Sequence, residues 1–245
     1  MDLKGKVAMI TGASVGIGRA TAIVMAEKGA HLILLDINAE KLQEVCETLR
    51  QYDCTMEAYT CDVSDEAQVN AAVANALSKF QKIDILVNNA ALWRDKSLFS
   101  ESTSDLWKKY IDVNIMGVYY CTKAVIGTML ENHYGRIINV ASVAGVYGNA
   151  KMVHYSATKG AVIAMTTALA KEVADKGILV NCVSPGSVSP SQNEDMDFYK
   201  PSELSFIGRT GTDRENANLI CFLASDDASY IAGQNIQIDG CRKKQ

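Results

Sequence analysis

Tyr155 and Lys159 stand four residues apart in Tyr-Ser-Ala-Thr-Lys, a spacing that sets both side chains on one face of a helix. A free phenol has a pKa near ~10, too high for ready proton exchange at neutral pH. A neighbouring ammonium favours the phenolate. Bringing the phenol to neutrality takes roughly 4 kcal/mol of differential stabilisation, within reach of nearby cations in a partly dry site. The pair therefore points to proton transfer at a substrate oxygen, with Tyr155 as the general acid or base.

A second group lies at the start, in Thr11-Gly12-Ala13-Ser14-Val15-Gly16-Ile17-Gly18. Glycine at 12, 16 and 18 permits a tight turn, close approach of backbone to a pyrophosphate, and close packing of helix on strand. Ser14 and Ile17 belong to the same turn, and the helix behind it turns free N–H groups and a positive dipole end toward phosphates. Glycines alone would be a weak signal, but here a strand precedes and a helix follows, as a dinucleotide site requires. Asp36 closes the next strand. Its carboxylate can accept from the adenosine ribose hydroxyls and repels a 2′-phosphate. Ile37 and Asn38 follow it, and Val15 rather than a basic residue precedes Gly16, so NAD is expected over NADP.

The elements that must position these groups alternate regularly. Strands are expected at 6–11, 31–35, 55–61, 83–87, 136–140, 178–183 and 235–238. Helices are expected at 16–28, after the cap Asn38, after Ser64-Asp65-Glu66, from a capping box at Ser102 to Asp105 through Met129, and at 153–176 and 213–223. Strands of Val, Ile and Leu joined by helical crossovers imply a parallel sheet covered on both faces. The expected fold is α/β: a Rossmann-type, doubly wound sheet of seven parallel strands in a single domain, 1–245. Such sheets bind ligands at the carboxyl ends of their strands.

Several motifs recur together. TGASVGIG, Asp62-Val63, Asn88-Asn89-Ala90, Asn114, Ser142, Tyr155 with Lys159, Pro185-Gly186, Tyr230-Ile-Ala-Gly233 and Asp239-Gly240 span essentially the whole chain. In order and spacing they resemble the short-chain dehydrogenase/reductase family, nearest in pattern to its bacterial members similar to 3-oxoacyl-acyl-carrier-protein reductases. The resemblance implies hydride transfer between nicotinamide and a secondary alcohol or ketone. It makes Asn114, Ser142, Tyr155 and Lys159 the catalytic set. Ser142 holds the substrate oxygen, Lys159 also binds the nicotinamide ribose, and Asn114 supports a water leading from Lys159 to solvent. The cofactor set becomes Gly12, Ser14, Gly16, Ile17, Gly18, Asp36, Asp62, Val63, Asn88, Tyr155, Lys159, Pro185, Gly186 and Val188, with Asp62 at adenine and Asn88 lining the groove. The chain departs from the family pattern at Ala91, at Cys241 and at Pro190. At Pro190 a threonine usually contacts the carboxamide, so Ser189 or Ser191 is expected to substitute.

A substrate lid is expected at about 187–206, and Trp93, Arg94, Val143, Tyr147, Met152, His154 and Ser187 are expected to line the substrate pocket. They suit a steroid, a polyol, a sugar or a 3-hydroxy acid. The family's carrier-dependent reductases carry basic residues where this chain has Glu131-Asn132-His133, which with Asp36 favours a small free substrate. A 3-oxoacyl-thioester reductase and a non-catalytic NAD-sensing protein are the competing readings, though the second would be expected to lack the tyrosine or lysine.

The remaining composition narrows the partners. A net charge of −4, with acids and bases mixed and only a short basic tail at Arg242-Lys243-Lys244, argues against nucleic acid. No run approaches the ~18 apolar residues of a membrane span, and the opening residues lack a leader pattern. The seven cysteines form no CxxC pair, so no metal site is expected, and free thiols fit a reducing cytoplasm. Small residues Ala157, Gly160, Ala161 and Ala164 would permit close helix packing between copies, and with the resemblance suggest a homotetramer.

Overall fold

The computed structural model describes residues 1–189 and 195–243. Along the chain run β1 (Val7–Thr11), α1 (Gly16–Glu27), β2 (His31–Asp36), α2 (Ala39–Leu49), β3 (Met56–Thr60), α3 (Glu66–Phe80), β4 (Ile85–Asn88), α4 (Ser104–Ile111) and α5 (Gly117–Glu131). After these come β5 (Gly135–Val140), the short α6 (Ala144–Tyr147), α7 (Val153–Val173), β6 (Ile178–Pro185), α8 (Asp213–Ala224) and β7 (Asn235–Ile238).

The seven strands form one parallel sheet in the order β3-β2-β1-β4-β5-β6-β7. Successive side chains on a strand face opposite sides, and the two cores follow from that alternation. Ala8 and Ile10 of β1 pack with Leu32, Leu34, Ile85 and Val87 beneath α1, α2 and α8. Val7 and Met9 pack with Ile33, Leu35 and Leu86 beneath α3, α5 and α7. With both faces buried, each strand reads as an unbroken apolar run. The strand order reverses between β1 and β4, so their connections leave in opposite directions and open a crevice at the carboxyl edge.

Local chemistry sets half of the α-helix starts among the described residues. Asn38 accepts from Lys41 N, as the sequence suggests, and Asp65 accepts from Ala67 N and Gln68 N. Thr212 and Glu215 form a reciprocal capping box at α8. The expected box at Ser102–Asp105 is not formed. Thr103 caps α4 by accepting from Leu106 N, while the Ser102 hydroxyl accepts from Trp107 Nε1. The long helix expected through Met129 is also divided, because a widened π-helical turn at Asp112–Met116 separates α4 from α5. Such turns insert one residue into a helix and re-aim its side chains.

Candidate active site

The crevice is a groove of about 1720 Å³. It is lined at one end by the β1–α1 turn and β2, in the middle by the ends of β4 and β5, and at the other end by the stretch after β6. Gly12, with φ at 63°, makes the turn. A Cβ there would lie 2.9 Å from the Cα of Ala90. Gly18 shows the closest approach: a Cβ would fall 2.0 Å from the Gly12 carbonyl oxygen. Gly18 thus fixes α1 against the turn and does not itself line the groove, whereas Gly12, Ser14, Gly16 and Ile17 do.

Val15, the residue that caps α1, makes no side-chain bond to it, and the first turn carries no acid, so the N-terminal end of the helix is turned to the groove. Asp36 is nearly buried and pinned, its Oδ2 accepting from Ser14 N at 3.0 Å and its Oδ1 from Asn38 N at 2.9 Å. An open helix end, a side-chain-free turn and a fixed acceptor one strand away match a dinucleotide's pyrophosphate and ribose. Asp62 and Val63 lie on the same wall, and Pro185, Gly186, Ser187 and Val188 on the far one.

Tyr155, Lys159 and Ser142 meet in the middle of the groove. Tyr155 and Lys159 share a face of α7, with the Lys159 Nζ 5.9 Å from the Tyr155 ring centre. Lys159 is 3% exposed and donates to the Val140 carbonyl at 2.7 Å. Burial pushes its pKa down to about 8. Burial likewise raises the Tyr155 phenol, and a hydrogen bond with Ser142 opposes that. Lys159 and a positive nicotinamide together are expected to favour the phenolate; in the protein alone, burial works against that. Both groups are desolvated, and desolvation favours the neutral form of each.

One further residue stands elsewhere than expected. Asn88 does not line the groove. Its side chain is buried beneath α5, where Nδ2 donates to Asn139 Oδ1 at 2.9 Å and to Thr122 Oγ1 at 3.1 Å. Its neighbour Asn89 reaches the turn instead, donating from Nδ2 to the carbonyls of Thr11 and Gly12, both at 3.0 Å. Asn114, fully buried in the π-helical turn, is also outside the groove wall. Its Oδ1 accepts from Leu92 N at 2.8 Å, and its Nδ2 donates to Leu92 O at 2.9 Å and Thr158 Oγ1 at 3.1 Å.

Residues 6–197 match the family model described as short chain dehydrogenase. The chain belongs to the short-chain dehydrogenase family. It is 40% identical to the 3-oxoacyl-[acyl-carrier-protein] reductase FabG of Thermotoga maritima, over 98% of each chain. It is 38% identical to the (2S)-[(R)-hydroxy(phenyl)methyl]succinyl-CoA dehydrogenase subunit BbsD of Thauera aromatica, over 99% of this chain and 98% of that one. The solved structure of NAD⁺-bound xylitol dehydrogenase superposes with a TM-score of 0.91 at 32% identity, covering 98% of this chain and 100% of the other. Membership makes the protein an oxidoreductase of CH–OH and keto groups in a family that binds a nicotinamide cofactor.

In this short-chain dehydrogenase the substrate wall is only partly the one expected. Trp93, Arg94, Met152 and Ser187 line the groove; Val143, Tyr147 and His154 do not. His154 is buried beside Tyr110, ring centres 4.4 Å apart, and Trp107, 6.3 Å away. Tyr147 sits outside, its hydroxyl 2.5 Å from Gln237 Oε1. Ser189 does not reach the cofactor side, because its hydroxyl bonds that of Thr210 at 2.8 Å. Residues 190–194 of the expected lid, Pro190 and Ser191 among them, lie outside the described residues. Lys41, Lys96 and Lys109 line the groove without having been singled out by spacing. None belongs to a motif in the sequence, and the packing of α2, the β4–α4 loop and α4 around the groove brings them there.

The loop between β4 and α4 is tied down at three points. Asn114 holds Leu92, the Tyr110 hydroxyl holds Asp95, and Ser97 N donates to the Lys151 carbonyl at 2.9 Å. Among the described residues, no helix is long and apolar enough to cross a membrane, and all seven cysteines are free thiols.

Proposed function

We propose that the protein is an NAD-dependent dehydrogenase that interconverts a secondary alcohol and a ketone, with Tyr155 as general acid and base. The observation that carries this reading is the convergence of Tyr155, Lys159 and Ser142 on one groove with the glycine turn. When bound, the nicotinamide accepts or donates the hydride and, when oxidised, adds a positive charge that favours the phenolate. Ser142 holds the substrate oxygen toward Tyr155, restricting it to orientations suited to transfer. Tyr155 removes the hydroxyl proton during oxidation or returns it to the carbonyl oxygen during reduction. Lys159, on the same face of α7 as Tyr155, contacts the ribose. Gly12, Ser14, Gly16 and Ile17 hold the pyrophosphate, Asp62 and Val63 the adenine, and Pro185, Gly186 and Val188 the nicotinamide side, with Gly18 supporting the turn from behind.

Asp36 supports NAD, since an acceptor already fixed by two backbone N–H groups repels a 2′-phosphate. The NAD⁺-bound xylitol dehydrogenase structure favours the same cofactor and a polyol-type substrate. The relatives named 3-oxoacyl-[acyl-carrier-protein] reductase favour a second reading, reduction of a 3-oxoacyl thioester. A screen of NAD⁺ and NADP⁺ reduction across hydroxysteroids, polyols, sugars and 3-hydroxyacyl thioesters separates the two. NADH formation with a free alcohol supports the first, and NADPH-linked thioester chemistry alone would replace it.

The free thiols suit a reducing compartment, and we place the protein in the cytoplasm. Ala157 and Ala164 stand exposed on α7, with Gly160 and Ala161 partly so, which supports pairing of that helix in a homotetramer. Light scattering that shows monomers alone would overturn the assembly.

A further inference from the structure

The three anchored residues of the β4–α4 loop leave Trp93, Arg94 and Lys96 facing the groove. Asp95 lies between the two cations in sequence, and in an unanchored loop its carboxylate could neutralise either one. Tyr110 prevents this. Fully buried on α4, it donates from its hydroxyl to Asp95 Oδ2 at 3.1 Å and accepts from Asp95 N at 3.0 Å. Asp95 is consequently turned out of the groove wall. Tyr110 also packs edge-on against Tyr155, ring centres 6.4 Å apart at 84°, so the clamp joins the loop directly to the proposed proton-transfer residue.

The charge left on this wall is one-sided. Arg94, Lys96 and Lys109 are exposed and make no ion pair among the described residues, whereas Lys108 is paired with Asp112 at 2.6 Å. On α4 Asp105 lines the groove too and makes no ion pair among the described residues. The chain as a whole carries −4, so the local surplus runs against the net charge. The Arg94 guanidinium lies 5.1 Å from the Trp93 ring centre, a contact that holds it in place and leaves its edge donors open. A neutral steroid or polyol would make no use of these cations.

We propose that Arg94 and Lys96, beside Trp93, form a subsite for an anionic group, carboxylate or phosphate, that the substrate carries away from its reacting carbon. This rests on the dehydrogenase reading and names the substrate class for it. The subsite contributes orientation: an anion held on the anchored loop fixes the far end of the substrate while Ser142 and Tyr155 hold the reacting oxygen. Tyr110 is a positioning residue that keeps Asp95 from competing.

Two matched substrate pairs test the assignment: 3-hydroxybutyrate against its methyl ester, and 3-hydroxybutyryl-coenzyme A against the N-acetylcysteamine thioester. The anionic member of one pair is expected to exceed its neutral partner about tenfold in kcat/KM, mainly through KM, with the ratio falling at high salt. The pair that responds identifies the source as carboxylate or phosphate. In Arg94→Ala/Lys96→Ala the ratio should approach one, and Tyr110→Phe should lower it in the same direction. Ratios near one in the wild type, or unaltered in the double variant, overturn the subsite. Butyrate and free coenzyme A are also titrated by calorimetry into wild type and double variant, a readout independent of turnover. A binding difference without turnover of any alcohol would sink the dehydrogenase reading but not the subsite. Turnover without a binding difference would do the reverse.

Discussion

The Lys159 ammonium donates to the Val140 carbonyl at 2.7 Å while almost wholly removed from water. One hydrogen bond does not replace hydration, and the lysine's pKa falls from 10.5 to about 8. The folded state therefore binds this proton less tightly than the unfolded chain. The cost is fully present below pH ~8 and fades as pH rises from about 8 toward 10.5. Lys159→Met should accordingly be more stable than wild type at pH 7, by about 1–3 kcal/mol once the unpaired Val140 carbonyl is allowed for. Urea denaturation at pH 7 and pH 10 should show that margin shrinking; a margin that grows with pH would contradict the burial argument.

Tyr155→Phe deletes one hydroxyl from a half-buried ring and should leave unfolding almost unaltered. Turnover with any alcohol the protein oxidises should drop by about 10²–10⁴-fold. Absorbance of the reduced nicotinamide measures it directly, and near-normal rates would remove Tyr155 from the chemistry.

Asn114→Ala strips Leu92 of both its backbone partners and Thr158 of a donor. A loss of about 2–4 kcal/mol in unfolding free energy is expected. A loss below about 0.5 kcal/mol would show that the amide anchors little.

Asp36→Ala leaves the N–H groups of Ser14 and Asn38 without their acceptor and removes the charge opposed to a 2′-phosphate. The ratio of NADPH to NADH affinity should rise by about tenfold, with Lys41 on the same wall available to the phosphate. Equilibrium titration with each nucleotide decides the point.

Cys241 adopts φ of 57°, in the left-handed region, at a place where a glycine is often found in the family. A side chain with a Cβ is strained there. Cys241→Gly should stabilise by about 0.5–1 kcal/mol despite the greater freedom glycine gains on unfolding. Thermal melting of the two forms tests it, and a lower melting temperature for the glycine form would refute it.

The sheet was legible from sequence because its strands are buried on both faces and read as Val-, Ile- and Leu-rich runs between helical patterns. The glycine turn was legible because its chemistry is local. What escaped was set by side-chain direction or by distant contacts. Asn88 and Asn89 are neighbours on opposite faces, and nothing in their order says which one reaches the turn. His154 adjoins Tyr155, yet one helical step of rotation carries it into the Tyr110–Trp107 cluster. The π-helical turn around Asn114 adds a residue without disturbing the apolar periodicity that revealed the helix. The Tyr110–Asp95 clamp joins groups 15 positions apart, with no spacing rule to announce it.

The three anchors of the β4–α4 loop divide the groove into parts with different freedom to change. Tyr155 and Lys159 ride on α7, whose inner residues Val162, Thr166, Ala170 and Val173 are buried in the protein interior, so displacing them means repacking it. The residues between Leu92 and Ser97 are fastened only at their ends and middle, and the exposed side chains of Trp93, Arg94 and Lys96 can be exchanged without breaking the Tyr110–Asp95 clamp. On the proposed subsite, selectivity would be a replaceable cassette clipped onto a fixed centre, and a new specificity could be grafted there with α7 left in place.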